Sequence, residues 1–524
     1  MTARSRARPA SRNSTKTRHL LLGNKGGEDL ISAGIATDPT RLIYSQNVER
    51  LVTGGVARIP GYMLYDGQVT PATAVPGTGP VLGVAVFNSV VYALRNSVAP
   101  GSVAKLYKAT GAGWALVHTF AAAGARAEFV THNFLGTAAN ECLYGCDGGN
   151  KAWQLTTAGA LTLITSGATT DTPTHIEAHK GRLWLGFGNG EVRYSPVGDP
   201  AGTWANSWTA GTIGIGRAVQ GMRSLKGGVL SIFGTDQTFL LYGSISGASG
   251  DFELKEHSQS VGARPYTIQE MTDCVFLDTA GVTTLAATQE FGDFLLGSRS
   301  LDIKPFIDVN MVNAVASVAL KGKQQYRVFF SKSGDDYCTF AIGTVMSATR
   351  VDWTRGRYDF PLYCIAQGEI SGVNRIFAGD RNGYVYEIET GTSYNGSAYT
   401  SIWIPAFDHQ GDSLVYKTYR QVDLEVDTAE EITFSYQASF EYEAPNIPKD
   451  IVLSSDAVAE GSRWGSTGLW GSFMWGGATQ GTSYGCLSGW AKSISVAFSH
   501  TSSTTQPFTL RSISYLYEPR RLQH

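Results

Sequence analysis

The sequence contains few charged residues and few cysteines, and it has no long apolar run. Asp, Glu, Lys and Arg make up 16% of its 524 residues, whereas soluble domains usually contain roughly 25%. Subunit interfaces are depleted in charge, so this composition favours a surface largely covered by neighbours over an unusually neutral free surface. No stretch reaches the roughly 18 apolar residues of a membrane helix, and we expect no membrane span.

The six cysteines are too few for a disulfide framework in a chain of this length. We therefore expect free thiols and folding in a reducing cytoplasm. No apolar stretch follows the basic residues at the N-terminus, so we also expect no secretory signal.

Basic charge is concentrated in the first 18 residues, which contain no acid. Removing these six residues from the 42 Lys and Arg leaves 36 basic against 44 acidic residues in the rest of the chain. We expect residues 1–19 to form a basic arm that is either disordered or docked on an acidic neighbour or nucleic acid. The docking hypothesis assigns the contact to Arg4, Arg6, Arg8, Arg12 and Arg18. The acidic body argues against tight DNA binding, because neutralising phosphates requires clustered Lys and Arg.

Short apolar runs separated by tight polar or glycine turns recur along the chain. The turn centres lie near Asn88, Ala139, Gly181, Gly227, Gly281, Gly322 and Gly372. Their mean separation of about 47 residues is the spacing of propeller blades of four strands each. The sequence therefore predicts an all-β protein with a β-propeller of six or seven blades.

The spacing of the turns divides the chain into four predicted parts. After the arm, residues 20–80 are expected to wrap onto the body, and residues 81–390 to form the propeller. The spacing of the turns changes in residues 391–524, which are predicted to form a C-terminal β-sandwich or platform domain. Apolar and polar residues alternate there over residues 431–443, which predicts an unusually long strand.

Three carboxylates precede that long alternating segment. Asp423, Glu425 and Asp427 alternate with valine and leucine, which places them on one face of a strand. Repeated around a closed ring, they would form stacked acidic rings that repel phosphates, so that a duplex could slide without sticking. We predict that they line such a channel, while a simple solvated strand face remains the alternative.

Other candidate motifs lack the context that their chemistry needs. The pattern G-x-S-x-G at residues 481–485 has no following helix. His175 and His179 would lie too far apart on a strand to share a metal, and the Cys142/Cys146 pair lacks further ligands. Possible glycosidase acids are Asp147, Asp278 and Asp380, each of which also suits a turn. We expect no catalytic residues, metal or cofactor, and no enzymatic activity.

Several stretches together resemble tail hub or tail nozzle proteins of short-tailed bacteriophages. They are GGEDLISAG (26–34), YSQNV (44–48), GYMLYDG (61–67), GIG (214–216), GVLSIFG (228–234), FLLYG (239–243), IPAF (404–407) and RQVDLE (420–425), with the Trp- and Gly-rich C-terminal region. The resemblance covers most of the chain but not the basic arm. It implies a propeller joined to β-rich platform domains.

The resemblance also implies a function. Such a structural virion protein would form a homo-oligomeric ring, expected to be a hexamer, in the phage tail after assembly in the host cytoplasm. Its partners would be the head-to-tail adaptor, tail fibres or spikes, and DNA passing through without sequence recognition. The alternative is a propeller that binds or hydrolyses polysaccharide on a host surface. A host-receptor adhesin is a third option.

Overall fold

The computed structural model describes residues 17–21, 26–137, 140–202, 204, 210–243, 252–291, 297–347, 349–428, 432–443, 452–456 and 480–520. Within these ranges nearly all regular structure is β. The basic-arm residues Arg4, Arg6, Arg8 and Arg12 lie outside the described residues.

Five short strands come first in the chain. They are β1 (Thr17–Leu21), β2 (Leu42–Gln46), β3 (Val48–Arg50), β4 (Val56–Arg58) and β5 (Tyr62–Leu64).

Seven antiparallel sheets follow in the described part of the chain, and we number them blades 1 to 7. Blade 1 contains β6 (Thr78–Phe87), β7 (Val90–Asn96), β8 (Ala104–Thr110) and β9 (Gly113–Thr119). Blade 2 contains β10 (Glu128–Asn133), β11 (Glu141–Cys146), β12 (Trp153–Thr156) and β13 (Leu161–Leu163). Blade 3 contains β14 (His175–His179), β15 (Arg182–Gly186), β16 (Glu191–Tyr194) and β17 (Gly211–Gly214). Blade 4 contains β18 (Gly221–Leu225), β19 (Val229–Phe233), β20 (Thr238–Gly243) and β21 (Phe252–Ser258).

Blade 5 differs from the others because it has three strands and is followed by helices. Its strands are β22 (Gln269–Glu270), β23 (Cys274–Asp278) and β24 (Gly281–Thr284). The helical segments are α1 (Leu285–Phe291), α2 (Lys304–Asn310) and short 3-10 turns at Leu301–Ile303 and Met311–Asn313. Blade 6 contains β25 (Ala314–Leu320), β26 (Gln325–Phe330), β27 (Cys338–Val345) and β28 (Val351–Tyr358), with a 3-10 turn at Lys321–Lys323. Blade 7 contains β29 (Leu362–Ile370), β30 (Val373–Asp380), β31 (Val385–Ile388) and β5.

The blades pack face to face in a closed ring. Each pair of neighbouring blades shares a buried apolar cluster, and the closing cluster joins Val81 and Val84 of blade 1 to Phe377 of blade 7. Blade 7 takes its outermost strand from the N-terminal segment, since β5 pairs with β31 and places Leu64 opposite Tyr386. The β-propeller prediction is confirmed, with seven blades in the described residues.

Most predicted turn centres join the first and second strands of a blade. These are Asn88, Gly181, Gly227, Gly322 and Gly372. Ala139 lies outside the described residues, between β10 and β11. Both residues of the turn between β14 and β15 have positive φ, 47° at Lys180 and 70° at Gly181, as the twist of a two-residue hairpin requires. Gly281 instead follows the turn between the second and third strands of blade 5.

The last seven strands form a second β body together with β1 to β4. They are β32 (Tyr399–Pro405), β33 (Lys417–Asp427), β34 (Thr433–Phe440), β35 (Val452–Asp456), β36 (Gln480–Ala491), β37 (Ile494–Ser502) and β38 (Thr509–Pro519). They build one sheet in the order β2-β32-β37-β34-β35-β36-β33-β38-β4-β3, and β1 also pairs with β38. Because Asn47 alone separates β2 from β3 in the chain, the sheet must curve back on itself.

A large buried cluster fills the inside of this curved sheet, and a smaller cluster contains Ile402, Ile404 and Ala497. Val422 and Leu424 of β33 contribute to the large cluster from one half of the sheet, and Trp403 and Phe434 contribute from the other. The strand predicted over residues 431–443 is shorter than expected, since β34 spans Thr433–Phe440. The positive φ angles of Glu441 and Tyr442, 50° and 66°, end its extended backbone.

Buried ion pairs join the propeller to the curved sheet. Arg327 of β26 is fully buried and contacts Glu49 of β3 at 2.8 Å and Glu389 at 2.5 Å. Lys323 contacts the same two carboxylates at 2.7 and 2.6 Å. Nearby, Arg355 of β28 donates a 2.6 Å hydrogen bond to buried Glu28. The N-terminal segment therefore ties the two bodies together through charge as well as through strand pairing.

Candidate functional site

The propeller encloses a central channel with a volume of about 710 Å³. Residues on or next to the innermost strand of every blade line it, from β6, β10, β14, β18, β22, β25 and β29. A cavity of this size lies within the usual range of small-molecule sites, roughly 300–1,000 Å³.

One end of the channel is closed by side chains from three blades. Arg126 precedes β10, and its guanidinium carbon lies 4.6 Å from the centre of the Tyr266 ring and 5.0 Å from that of Tyr363. The Tyr266 ring also lies 5.6 Å from the His175 ring. Tyr266 has a φ of 63°, a left-handed conformation that is uncommon for a bulky residue. Contacts to Arg126, which precedes blade 2, and to His175 of blade 3 thus hold the Tyr266 ring at this end of the channel.

The opposite end of the channel is bordered by exposed polar side chains. Lys321, Glu369 and Asn374 line it and are exposed. Ser317 of β25 donates a hydrogen bond to the backbone carbonyl of Tyr266, whereas Lys321 follows the end of that strand and is exposed. A ligand would therefore enter at this second end.

Two glutamates stand on neighbouring inner strands in the channel wall. Glu128 of β10 has its Oε2 3.0 Å from His175 Nδ1 and accepts a 3.3 Å hydrogen bond from the backbone N–H of Ile176. Glu177 of β14 has its Oε2 3.7 Å from Nη1 of Arg223 in β18. Three successive blades therefore place two carboxylates and a guanidinium along one side of the channel.

Burial raises the pKa of Glu177 to about 7. Arg223 opposes this rise, whereas the negative charges of Glu128 and Glu270 add to it. Glu177 can consequently exchange its proton near neutral pH. A carboxyl group with this property can donate a proton to a reacting group or exchange its proton for a bound cation.

Sequence reasoning missed these glutamates. Glu128 and Glu270 belong to no motif, and Glu177 lies between His175 and His179, whose spacing was judged unsuitable for a metal. The three glutamates are far apart in the chain, and closure of the ring brings them together. The available signal was a glutamate in the innermost strand of each of three blades.

The predicted channel-lining residues lie on the curved sheet, away from the propeller channel. Asp423, Glu425 and Asp427 occupy the face of β33 opposite its apolar core, as their alternation predicts. Asp423 is buried and accepts a hydrogen bond from Gln421. Ser512 Oγ donates a 2.7 Å hydrogen bond to Glu425, and Arg511 Nε lies 2.5 Å from Asp427. That these carboxylates line a channel stays a prediction, because it concerns contacts between copies.

Of the predicted docking arginines, Arg18 lies in β1, where its backbone pairs with Leu516 of β38. Its side chain is outside the described part of the structure, as are the other four arginines.

The turn interpretation of the candidate acids is supported by their hydrogen bonds. Asp147 accepts bonds from the backbone N–H groups of Gly149 and Asn150, at 3.0 and 2.7 Å. Asp380 likewise accepts from the residues of the turn between β30 and β31, and burial raises its pKa to about 6. These aspartates shape hairpins and do not form a pair in the channel wall.

The remaining motifs also lie in structural positions. His179 contacts Ser224 at 2.8 Å, and residues 481–485 fall within strand β36 instead of a turn before a helix. Burial raises the pKa of Cys146. In the described residues no group of three or more His, Cys, Asp or Glu side chains is arranged to hold a metal ion. No helix in those residues is long and apolar enough to cross a membrane.

Comparison with known proteins yields structural likenesses at low identity. No family model and no curated protein matches the sequence. Similar solved structures include the computationally designed protein Ika8, with 11% identity and a TM-score of 0.35 over 63% of this chain and 99% of that one. Virginiamycin B lyase from Staphylococcus aureus has 12% identity and a TM-score of 0.36 over 59% and 94%. A chain of a mitotic checkpoint complex has 10% identity and a TM-score of 0.38 over 62% and 93%. These values carry no functional argument.

Proposed function

We propose that the protein is a structural subunit of the tail of a short-tailed bacteriophage. It would form a ring, the tail nozzle or hub, that attaches below the head-to-tail adaptor, carries fibres or spikes and conducts DNA during ejection. The sequence resemblance, the low charge content and the firm joining of two β bodies support this proposal.

The observation that carries the proposal is the acidic face of a long-stranded sheet. Strand β33 has 11 residues, and its neighbours β36 and β38 have 12 and 11, which gives a length of roughly 36 Å for 11 residues. Asp423, Glu425 and Asp427 follow one another along β33. Copies arranged around an axis would repeat this row and surround a passage with negative charge.

The propeller channel itself is too narrow to conduct a duplex. Arg126 contacts rings from two other blades within 5.0 Å across it, whereas the major groove of DNA alone is about 12 Å wide. DNA would therefore pass between protomers. The mechanism would be passive, because carboxylates repel phosphates and leave the moving duplex without strong binding sites. Pairing of Asp427 with Arg511 would moderate the repulsion.

The alternative, a glycan-binding protein or glycosidase, is favoured by the channel glutamates. Glycosidases use one carboxylic acid as proton donor and a second carboxylate as base or nucleophile. Glu177, with its pKa raised to about 7, suits the first role, and Glu128 suits the second.

Light scattering after size-exclusion chromatography separates these functions. The ring proposal predicts a mass several times 56.2 kDa, alone or with the adaptor ring, and electron micrographs with an axial hole between protomers. A protein that stays monomeric with and without the adaptor contradicts it. A monomer that depolymerises polysaccharide and loses this activity in Glu177→Gln supports the alternative.

A further inference from the structure

An exposed cluster of aromatic and basic side chains lies at one end of the long strands of the curved sheet. Tyr416 and Trp490 are neighbours there, with ring centres 5.2 Å apart, and Trp490 is 56% exposed. The ammonium group of Lys492 lies 4.9 Å from the centre of the Tyr416 ring. The guanidinium carbon of Arg520 lies 5.1 Å from the centre of the Trp490 ring. We call these four residues the cation–aromatic cluster.

Backbone and side-chain contacts hold this cluster in place. Trp490 belongs to β36 and lies opposite Thr418 of β33. The backbone N–H of Arg520 donates a 2.7 Å hydrogen bond to the carbonyl oxygen of Tyr416, and Arg520 Nε donates one of 2.7 Å to Thr418 Oγ1. The two rings and the guanidinium group are therefore positioned before a ligand binds, which lowers the entropic cost of binding.

The positive charge of the cluster is not compensated by ion pairs. In the described part of the chain, neither Lys492 nor Arg520 forms an ion pair with a carboxylate. The adjacent Glu518 of β38 lies 3.4 Å from Arg420, and this pair adds no net charge. Two cations without an acidic partner thus stand beside two aromatic rings.

The basic arm joins the curved sheet at the same end. Thr17, the first residue of β1, lies opposite Tyr517 of β38, which is three residues before Arg520. Residues 1–16 continue from this point, and extended they span at most roughly 55 Å. Their basic residues are Arg4, Arg6, Arg8, Arg12 and Lys16. The arm can therefore reach a ligand bound at the cluster.

We propose that the cation–aromatic cluster binds single-stranded nucleic acid, with a base stacked on Trp490 and phosphates beside Lys492, Arg520 and the basic arm. Sites for single strands combine a positively charged surface with aromatic rings on which bases of any sequence stack. A duplex offers phosphates but no unpaired base. A neutral glycan would stack on the rings but would leave both cations without an anion.

Strand β36 also supplies a matched control. Tyr484 is 62% exposed and lies on the same face as Trp490, since exposed residues alternate with more buried ones between the two. It lies opposite Asp423, roughly 20 Å from Trp490 along the strand. Tyr484 therefore presents an exposed ring beside a carboxylate instead of a cation.

The test measures the fluorescence anisotropy of a labelled oligothymidylate of about 20 nucleotides, with the full chain at about 50 mM salt. Saturable binding is expected. Trp490→Ala should weaken it at least about fivefold, because the loss of one stacked base costs that factor or more. Tyr484→Ala should change affinity by less than about twofold. Binding of an abasic strand of the same length should be weaker and should not depend on Trp490.

The contribution of charge is measured through the salt dependence. Arg520→Gln and Lys492→Gln should each lower the slope of log Kd against log salt concentration by about 0.7, the value for one phosphate contact to a single strand. Trp490→Ala should leave this slope unchanged. Trp490, Tyr484 and Arg520 are exposed and Lys492 is partly exposed, so these variants should fold.

Three results would overturn the proposal. They are absence of saturable binding, equal effects of Trp490→Ala and Tyr484→Ala, and an abasic strand that binds as tightly as the oligothymidylate. Binding of phosphatidylglycerol vesicles in place of the oligonucleotide would assign the cluster to a lipid surface and would overturn it as well. None of these outcomes depends on whether copies form a ring, which light scattering measures separately.

Discussion

A single buried arginine holds together segments that are distant in the chain. Arg327 is fully buried, and both of its carboxylate partners, Glu49 and Glu389, are nearly so. Burial alone would raise the pKa of Glu389, but Arg327 and Lys323 outweigh it and lower that pKa. The charges are therefore stable in the folded state only as a set, because each one alone would be an uncompensated buried charge.

We predict that Arg327→Met lowers the free energy of unfolding by roughly 3–5 kcal/mol, because it leaves two buried carboxylates facing Lys323 alone. Urea denaturation checks this. Arg217→Met, which removes an exposed ion pair with Asp236, should change stability by less than about 0.5 kcal/mol.

The pH dependence of this difference has a defined sign. Since the folded-state pKa of Glu389 is lowered, its contribution to stability is present above the unfolded value of 4.5 and is lost as pH falls through the folded value. The gap between the wild type and Arg327→Met should therefore narrow in acid. A gap that widens in acid contradicts the assignment.

At the scale of elements, a three-residue strand closes the propeller. Strand β5 completes blade 7, where Tyr62 is buried against the rings of Phe360 and Tyr394 at 4.8 and 4.6 Å. The residue before it must be glycine for a steric reason. A Cβ at Gly61 would lie 2.0 Å from the carbonyl oxygen of Ser393, a backbone atom that cannot move independently.

We predict that Gly61→Ala displaces β5 and destabilises the protein by roughly 1–3 kcal/mol, because overpacking against backbone forces a shift of the strand. Hydrogen exchange at the amides of β31 should become faster, while exchange in blade 3 should not change. The matched control is Gly111→Ala, since a Cβ there would meet nothing within 4 Å and the φ of Gly111 is not left-handed. Equal denaturation midpoints for the two variants would show that β5 does not close the ring.

How far these elements can be predicted from the sequence depends on the range of their contacts. Hairpin turns such as Lys180–Gly181 are local, so turn chemistry and spacing predicted the propeller. The turn at Gly281 was predicted to follow the first strand of its blade, but it follows the second. Strand β22 has only two residues and no apolar run, so β23 is the first strand that the sequence pattern indicates. The pairing of β5 with β31 joins residues more than 300 positions apart, so no local sequence pattern predicts it.

The same limit applies to the candidate sites. The alternation around Asp423 correctly predicted that the three carboxylates share one face of a strand, because that property is local. The grouping of Glu128, Glu177 and Arg223 depends on the order and closure of the blades, which a single sequence does not encode in any short motif.

At the scale of the whole molecule, the N-terminal segment makes the two β bodies one unit. Strands β2, β3 and β4 belong to the curved sheet, and β5 belongs to blade 7. Ion pairs and strand pairing of this segment join the two bodies, as the proposed tail subunit would require. In the proposed ring, DNA would pass along the acidic face of β33, and the charge of that face would decide whether the duplex binds to it.

The last prediction tests that surface. Glu425→Lys would replace a negative by a positive charge on the proposed passage wall of each copy, a change of two charges that symmetry would repeat around the ring. We predict that assembled rings of this variant retain linear duplex DNA at about 50 mM salt and release it at about 200 mM, because contacts to phosphates weaken steeply with salt. Wild-type rings should retain little. Gel retardation with labelled DNA measures both.

The topology of the DNA distinguishes threading from outer-surface binding. Covalently closed circles cannot enter a closed ring, so Glu425→Lys rings should retain linear but not circular duplex. The control Glu253→Lys adds the same charge to exposed strand β21 of the propeller, and any binding it causes should be equal for the two forms. If Glu425→Lys rings retain circles as well as linear molecules, then the acidic row faces the outside of the assembly and DNA takes another path.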